Sequence, residues 1–198
     1  MSLYQEPPSS ITVEGRKYPV DTDFRVWMEF QGILAGQTGT EEKAAQVYAL
    51  MERLGLPASE ASLEAMAGFF EGGTAERAGA GESRTPAFDF ERDSAHIYSA
   101  FLGAYGIDLT TVRLHWWKFK ALFQALPDDC EICKIMRYRT VDLKDVPKSQ
   151  KQFYRQMKAR YALPGTAGAS HRTDEDMRGY VQRRFEDARK RQALGNLP

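Results

Sequence analysis

Cys130-Glu-Ile-Cys133 holds the only two cysteines of the chain, at a spacing that can supply half of a zinc site or a redox dithiol. A structural zinc ion takes four ligands, and the histidines that could complete the set, His96, His115 and His171, are scattered without compact spacing. A redox pair asks for a helix N-terminus that follows a β-strand; Asp128-Asp129 can start the helix, but no βαβ pattern precedes it. The pair reads as two ordinary thiols at helical spacing. His115, beside Trp116 and Trp117, has the chemistry of a general base, which needs an oriented acid or nucleophile within about 3 Å. No such partner is identifiable along the chain, so His115 reads as a boundary histidine on a core helix. Asp128-Asp129 and Asp174-Glu175-Asp176 lack the spacing of a calcium loop or of facing hydrolase carboxylates, and suit helix starts instead. GGTAERAGAG has no Gly-Lys-Ser/Thr ending and is no phosphate loop. No catalytic, cofactor-binding or metal-binding residue is assigned, and a non-enzymatic protein is expected.

The elements that carry these residues are mostly helical. Residues 10–20 alternate about Glu14-Gly15 and predict a small β-hairpin, with Pro19 at an edge or strand end. In TDFRVWMEFQGIL the period turns helical through Phe24, Trp27 and Met28, with Thr22 or Asp23 as the cap. Residues 41–54 place Ala44, Val47, Leu50, Met51 and Leu54 on one side before Gly55, and a third helix follows Pro57-Ala-Ser59. Residues 72–87 contain no long apolar side chain and read as a flexible loop.

Helical spacing resumes from Asp89, through Ile97, Phe101 and Tyr105. Over 110–126, Val112, Trp116, Phe119, Phe123 and Leu126 have the 4-3-4-3 spacing of a packed seam, which claims Trp116 and leaves Trp117 about 100° around the helix. A short helix at 129–137 and a longer one at 148–161 complete the series, the latter with Phe153, Met157 and Tyr161 on one face. The fold expected is mainly α: a small helical domain with an N-terminal β-hairpin, about six helices and a charged C-terminal helix. Its boundaries are a single domain over 1–164, a linker at 165–171 and an amphipathic tail at 172–194. That tail carries too thin an apolar stripe to fold alone and expects a partner.

The totals suit this picture. A chain of 198 residues buries about two-thirds of its unfolded surface, which is enough for a core without metal or disulfide. Lys+Arg and Asp+Glu are equal at 27 each, which argues against a surface that is wholly a nucleic-acid footprint. No apolar run approaches the roughly 18–20 residues of a membrane span, and no signal-like start is present, so a soluble cytoplasmic protein is expected. The charge is unevenly placed. From Lys134 to Tyr161 there are nine basic residues against Asp142 and Asp145, whereas Glu41 to Asp93 holds eleven acidic residues against five basic ones. Such a chain can steer an acidic protein or helix, or let copies associate head to tail; nucleic-acid binding through 134–160 is the rival reading.

The runs YPVDTDFRVWMEFQ (18–31), DFERDSAHIYSAFLGAYGIDL (89–109), LHWWKFKALFQAL (114–126), IMRYRTVDL (135–143) and QKQFYRQMKARYALP (150–164) carry a specific likeness. Over roughly residues 3–164 the chain resembles the bacteriophage family named after a fifteenth gene product, found in long-tailed phages and prophages of mainly Gram-positive bacteria. The genes of that family lie between those for the tail-tube and tape-measure proteins. The resemblance therefore implies a tail-assembly chaperone of the host cytoplasm that binds the tape-measure protein, and with it tail-tube subunits. A structural tail or connector component is the alternative. The family supplies no catalytic or ligand-binding residues to carry over. The residues expected to contact a protein partner are Trp27, Tyr105, Trp117, Lys151, Tyr154, Arg155, Lys158 and Tyr161, with self-association open and neither membrane nor nucleic acid expected as a partner.

Overall fold

A computed structural model describes residues 4–36, 38–72 and 86–164. These fall into two compact units, one on either side of the 73–85 stretch. The expected linker at 165–171, the tail helix at 172–194 and most of the 72–87 loop lie outside the described residues.

The first unit begins with strands β1 (Ser10–Val13) and β2 (Arg16–Pro19), antiparallel and paired from Ser10↔Pro19 to Val13↔Arg16. This register leaves a two-residue turn in which both Glu14 (φ 49°) and Gly15 (φ 81°) are left-handed, the signature of the type I′ turn that matches strand twist. A lone hairpin is marginal in water, and β1 leans on a helix through the buried Ile11 and Val13.

Helix α1 (Phe24–Ala35) starts where the Asp23 side chain accepts from the Arg25 N–H at 3.1 Å. Helix α2 (Thr40–Arg53) is rich in good helix formers, with Glu41 and Glu42 in its first turn and Arg53 in its last, each sign suited to its end of the dipole. Lys43 reaches back to donate to the Leu34 carbonyl at 2.8 Å, so the start of α2 satisfies the end of α1. Helix α3 (Glu60–Glu71) is capped by Ser59, which accepts from the Ser62 N–H at 3.1 Å, and it packs on β1. The centre of the unit is aromatic: Trp27 lies 4.3 Å from Phe69 and edge-on to Phe30, and its indole N–H donates to the Asp21 carbonyl at 3.0 Å.

The second unit contains α4 (Ser94–Tyr105), α5 (Trp116–Gln124), α6 (Glu131–Thr140) and α7 (Lys151–Arg160). Residues 89–93 form a turn rather than the first turn of α4, because the Asp89 side chain accepts from the Glu91 and Arg92 N–H groups. Helix α5 also starts later than its apolar spacing suggests. Asp108 accepts from Thr110 through both backbone and hydroxyl, bending the chain there, so Val112 precedes the helix and is only half-buried. Phe119 stacks on Phe101, Trp116 and Phe123 at 5.0, 5.8 and 6.0 Å, and this column is the core of the unit. Helix α6 packs against both α4 and α7. The fold is mainly α with an N-terminal hairpin, and seven helices stand among the described residues.

Candidate functional site

Trp27 does not offer a surface. It is fully buried, and its helical spacing is that of a core position. Tyr105 is half-buried and its hydroxyl donates to the Leu122 carbonyl at 2.8 Å, tying the end of α4 to α5. Trp116 is buried, whereas Trp117 is half-buried. The histidine beside them caps α5: its Nδ1 accepts from the Trp117 N–H at 3.0 Å and its ring stands edge-on to the indole.

The remaining expected contacts gather on α7 and at its C-cap, Tyr161. This helix has no buried residue. Lys151, Tyr154, Met157, Lys158 and Tyr161 occupy its half-buried side, and Arg155 its exposed side. Lys158 donates through Nζ to the Val141 carbonyl at 2.9 Å, which closes the loop between α6 and α7. Tyr138 on α6 gathers the aromatic side, stacked on Tyr161 at 5.9 Å and edge-on to Phe153 and Tyr154, each at 6.0 Å. Phe153 nevertheless remains 48% exposed. The spacing puts it on one face with Met157 and Tyr161, and in the fold it sits at the exposed rim of that face while the other two are half-buried. One exposed phenylalanine is ordinary by itself; what marks this surface is that Phe153 stands on a helix with four cations and no acidic residue.

One residue leaves the basic group. Arg139 is not on the surface: it is buried on α6, one turn beyond Ile135 on the same stripe, and holds the buried Asp93 in two hydrogen bonds. It also donates to the Ala87 carbonyl at 3.1 Å and the Tyr161 carbonyl at 2.6 Å. Burial pushes the Asp93 carboxyl up, but the hydrogen bonds from Arg139 and from the Asp89 N–H outweigh it, and the net shift is below the usual carboxylate range. A signal for this pair exists in the chain: Asp93 lies four residues before Ile97 and Arg139 seven after Ile132, so both occupy core stripes.

Cys130 is the N-cap of α6 and Cys133 lies in its first turn, both partly accessible. Burial, a hydrogen bond with Cys130 and the negative charge of its neighbours push the Cys133 thiol up to about 11. Among the described residues no three His, Cys, Asp or Glu side chains gather as a metal site, and no helix is long and apolar enough to cross a membrane. An open groove of about 600 Å³ on α2 is lined by Ala45, Tyr48, Ala49, Glu52, Leu56 and Ala58, with no convergent set of polar groups.

These features define a mainly helical protein whose distinctive surface is aromatic and basic. The chain belongs to the bacteriophage family described as Bacteriophage Gp15 protein, which it matches over residues 3–163. No curated protein and no solved structure matches it. Membership supports a general assisting role in phage tail morphogenesis.

Proposed function

We propose that this protein is a tail-assembly chaperone that works in the host cytoplasm, binds the tape-measure protein while the tail is built, and helps bring tail-tube subunits to it. The observation that carries the reading is α7: a surface helix with no buried residue, one half-exposed phenylalanine and a clear excess of positive charge, in a chain of this phage family. Reversible holding of an exposed helix needs apolar area for affinity and charge for register, and no bond-making chemistry. Trp117, half-buried at the start of α5, is a second contact in this reading.

Co-expression with the tape-measure protein encoded beside it, followed by pull-down at moderate salt, tests the proposal. Stoichiometric capture together with more soluble tape-measure protein supports it. No capture and no gain in solubility, with both proteins folded, removes direct chaperoning and leaves a structural tail component, which would be found in purified virions.

A further inference from the structure

The outward side of α7 has a definite pattern. At about 100° per residue, Gln152, Gln156 and Ala159 lie along its centre, Arg155 on one flank, and Phe153 with Arg160 on the other. All six are exposed. The helix contains no carboxylate, and among the described residues no carboxylate pairs with Lys151, Arg155 or Arg160. Phe153 is held from behind, edge-on to Tyr138 and to Tyr154 at 5.5 Å, so its ring is positioned before anything binds.

We propose that this side of α7 docks an acidic amphipathic helix, which packs its apolar stripe over Ala159 and against Phe153 and sets carboxylates beside Arg155 and Arg160. The proposal rests on the tape-measure reading above and names the kind of segment that would be taken. Charge complementarity selects the occupant. Ala159 lets a second helix approach closely at the C-terminal end of the face, Gln152 and Gln156 along its centre can hydrogen-bond the incoming helix, the single aromatic knob supplies apolar area, and cations on both flanks match acids on both edges of that helix. Single-stranded nucleic acid fits less well. Successive bases need a row of open aromatic faces, yet Tyr138, Tyr154 and Tyr161 are half-buried and occupied by one another, leaving Phe153 alone.

The test uses the full chain and two designed helical peptides with the same leucine stripe, one flanked by glutamates and one by lysines, read by fluorescence anisotropy. The glutamate peptide is expected to bind and the lysine peptide to bind at least about tenfold more weakly. Phe153→Ser should weaken the glutamate peptide, and Arg155→Glu with Arg160→Glu should reverse the preference. All three side chains are exposed, so circular dichroism should report unchanged folding. Equal binding of the two peptides, no reversal by the double variant, or displacement of the peptide from α7 by a single-stranded oligonucleotide at lower concentration would overturn the proposal. Tape-measure capture separates the two ideas. Binding of the glutamate peptide without capture of tape measure by the unaltered chain leaves the α7 surface standing and removes the tape-measure reading. Capture that is undiminished in the double variant does the reverse.

Discussion

The guanidinium of Arg139 holds the carboxylate of Asp93 through two hydrogen bonds, 2.5 and 2.9 Å long, with both side chains about 5% exposed or less. Forty-six residues separate the two in sequence. Removing either partner leaves a buried charge without its complement, so Arg139→Ala or Asp93→Ala should each cost about 3–5 kcal/mol by urea denaturation. Replacing both together by Met and Leu should recover much of that loss, because the desolvation of two charges disappears along with their attraction.

Acid should act through the same carboxylate. Its folded pKa is depressed, so its stabilisation is fully present above the ordinary carboxylate value of about 3.9 and is lost as pH falls toward and through the folded value. The stability gap between the unaltered chain and Asp93→Asn is therefore expected to be constant near neutrality and to narrow below about pH 4. A gap that stays constant to low pH would contradict this assignment.

The hairpin makes an opposite kind of prediction, in which the natural residue is suboptimal. Glu14 adopts φ 49°, a left-handed conformation that asparagine tolerates better, and Asn-Gly is the preferred pair for this turn. Glu14→Asn should stabilise the first unit by about 0.5–1 kcal/mol. Gly15→Ala meets no neighbouring atom but would force an L-residue to φ 81°, costing about 1–2 kcal/mol. Thermal melts of both variants check the pair.

At the start of α5, His115→Ala should cost about 1 kcal/mol through the loss of a cap, and His115→Asn should restore most of it. Denaturant midpoints of the two variants check the cap: an equal loss in alanine and asparagine would contradict it.

Cys133 should resist alkylation. With its thiol pushed up to about 11, almost none is thiolate near neutrality, and peptide mapping after iodoacetamide treatment should show it nearly unlabelled at pH 7.5. Labelling should rise about tenfold per pH unit until the pH nears 11. The sign of the linkage also follows: a proton held more tightly in the folded chain contributes stability that is lost as pH climbs from the ordinary thiol range through 11.

The parts of the fold that were legible are those set by local rules. Glu14-Gly15 announced its turn, Thr22-Asp23 and Pro57-Ala-Ser59 announced helix starts that Asp23 and Ser59 cap, and the 4-3 spacing of Trp116, Phe119 and Phe123 announced a seam, which stacks as a column. The same spacing overreached at Val112, because apolar periodicity carries no information about an aspartate turn that interrupts the backbone. Trp27, expected among the contact residues, is core, and Phe153, expected only on one face of its helix, stands at the rim, for a related reason: an aromatic residue at helical spacing marks the packed stripe and its rim alike, and only the neighbouring elements decide which it occupies. Arg139 was hidden among nine cations because a charge is ordinarily solvated, and its partner comes from a distant turn.

The carbonyls of Ala87 and Tyr161 meet at one guanidinium, and these residues stand at the entry and exit of the second unit. Its chain therefore leaves close to where it came in. Tension applied through the two flanking segments would load this knot first, before reaching the aromatic column, so Arg139 is the place where pulling would begin to open the unit. The same closeness means that a short peptide could join residue 164 to residue 86 and new ends be cut beside the exposed Lys144 and Asp145, giving a permuted unit with its helices undisturbed.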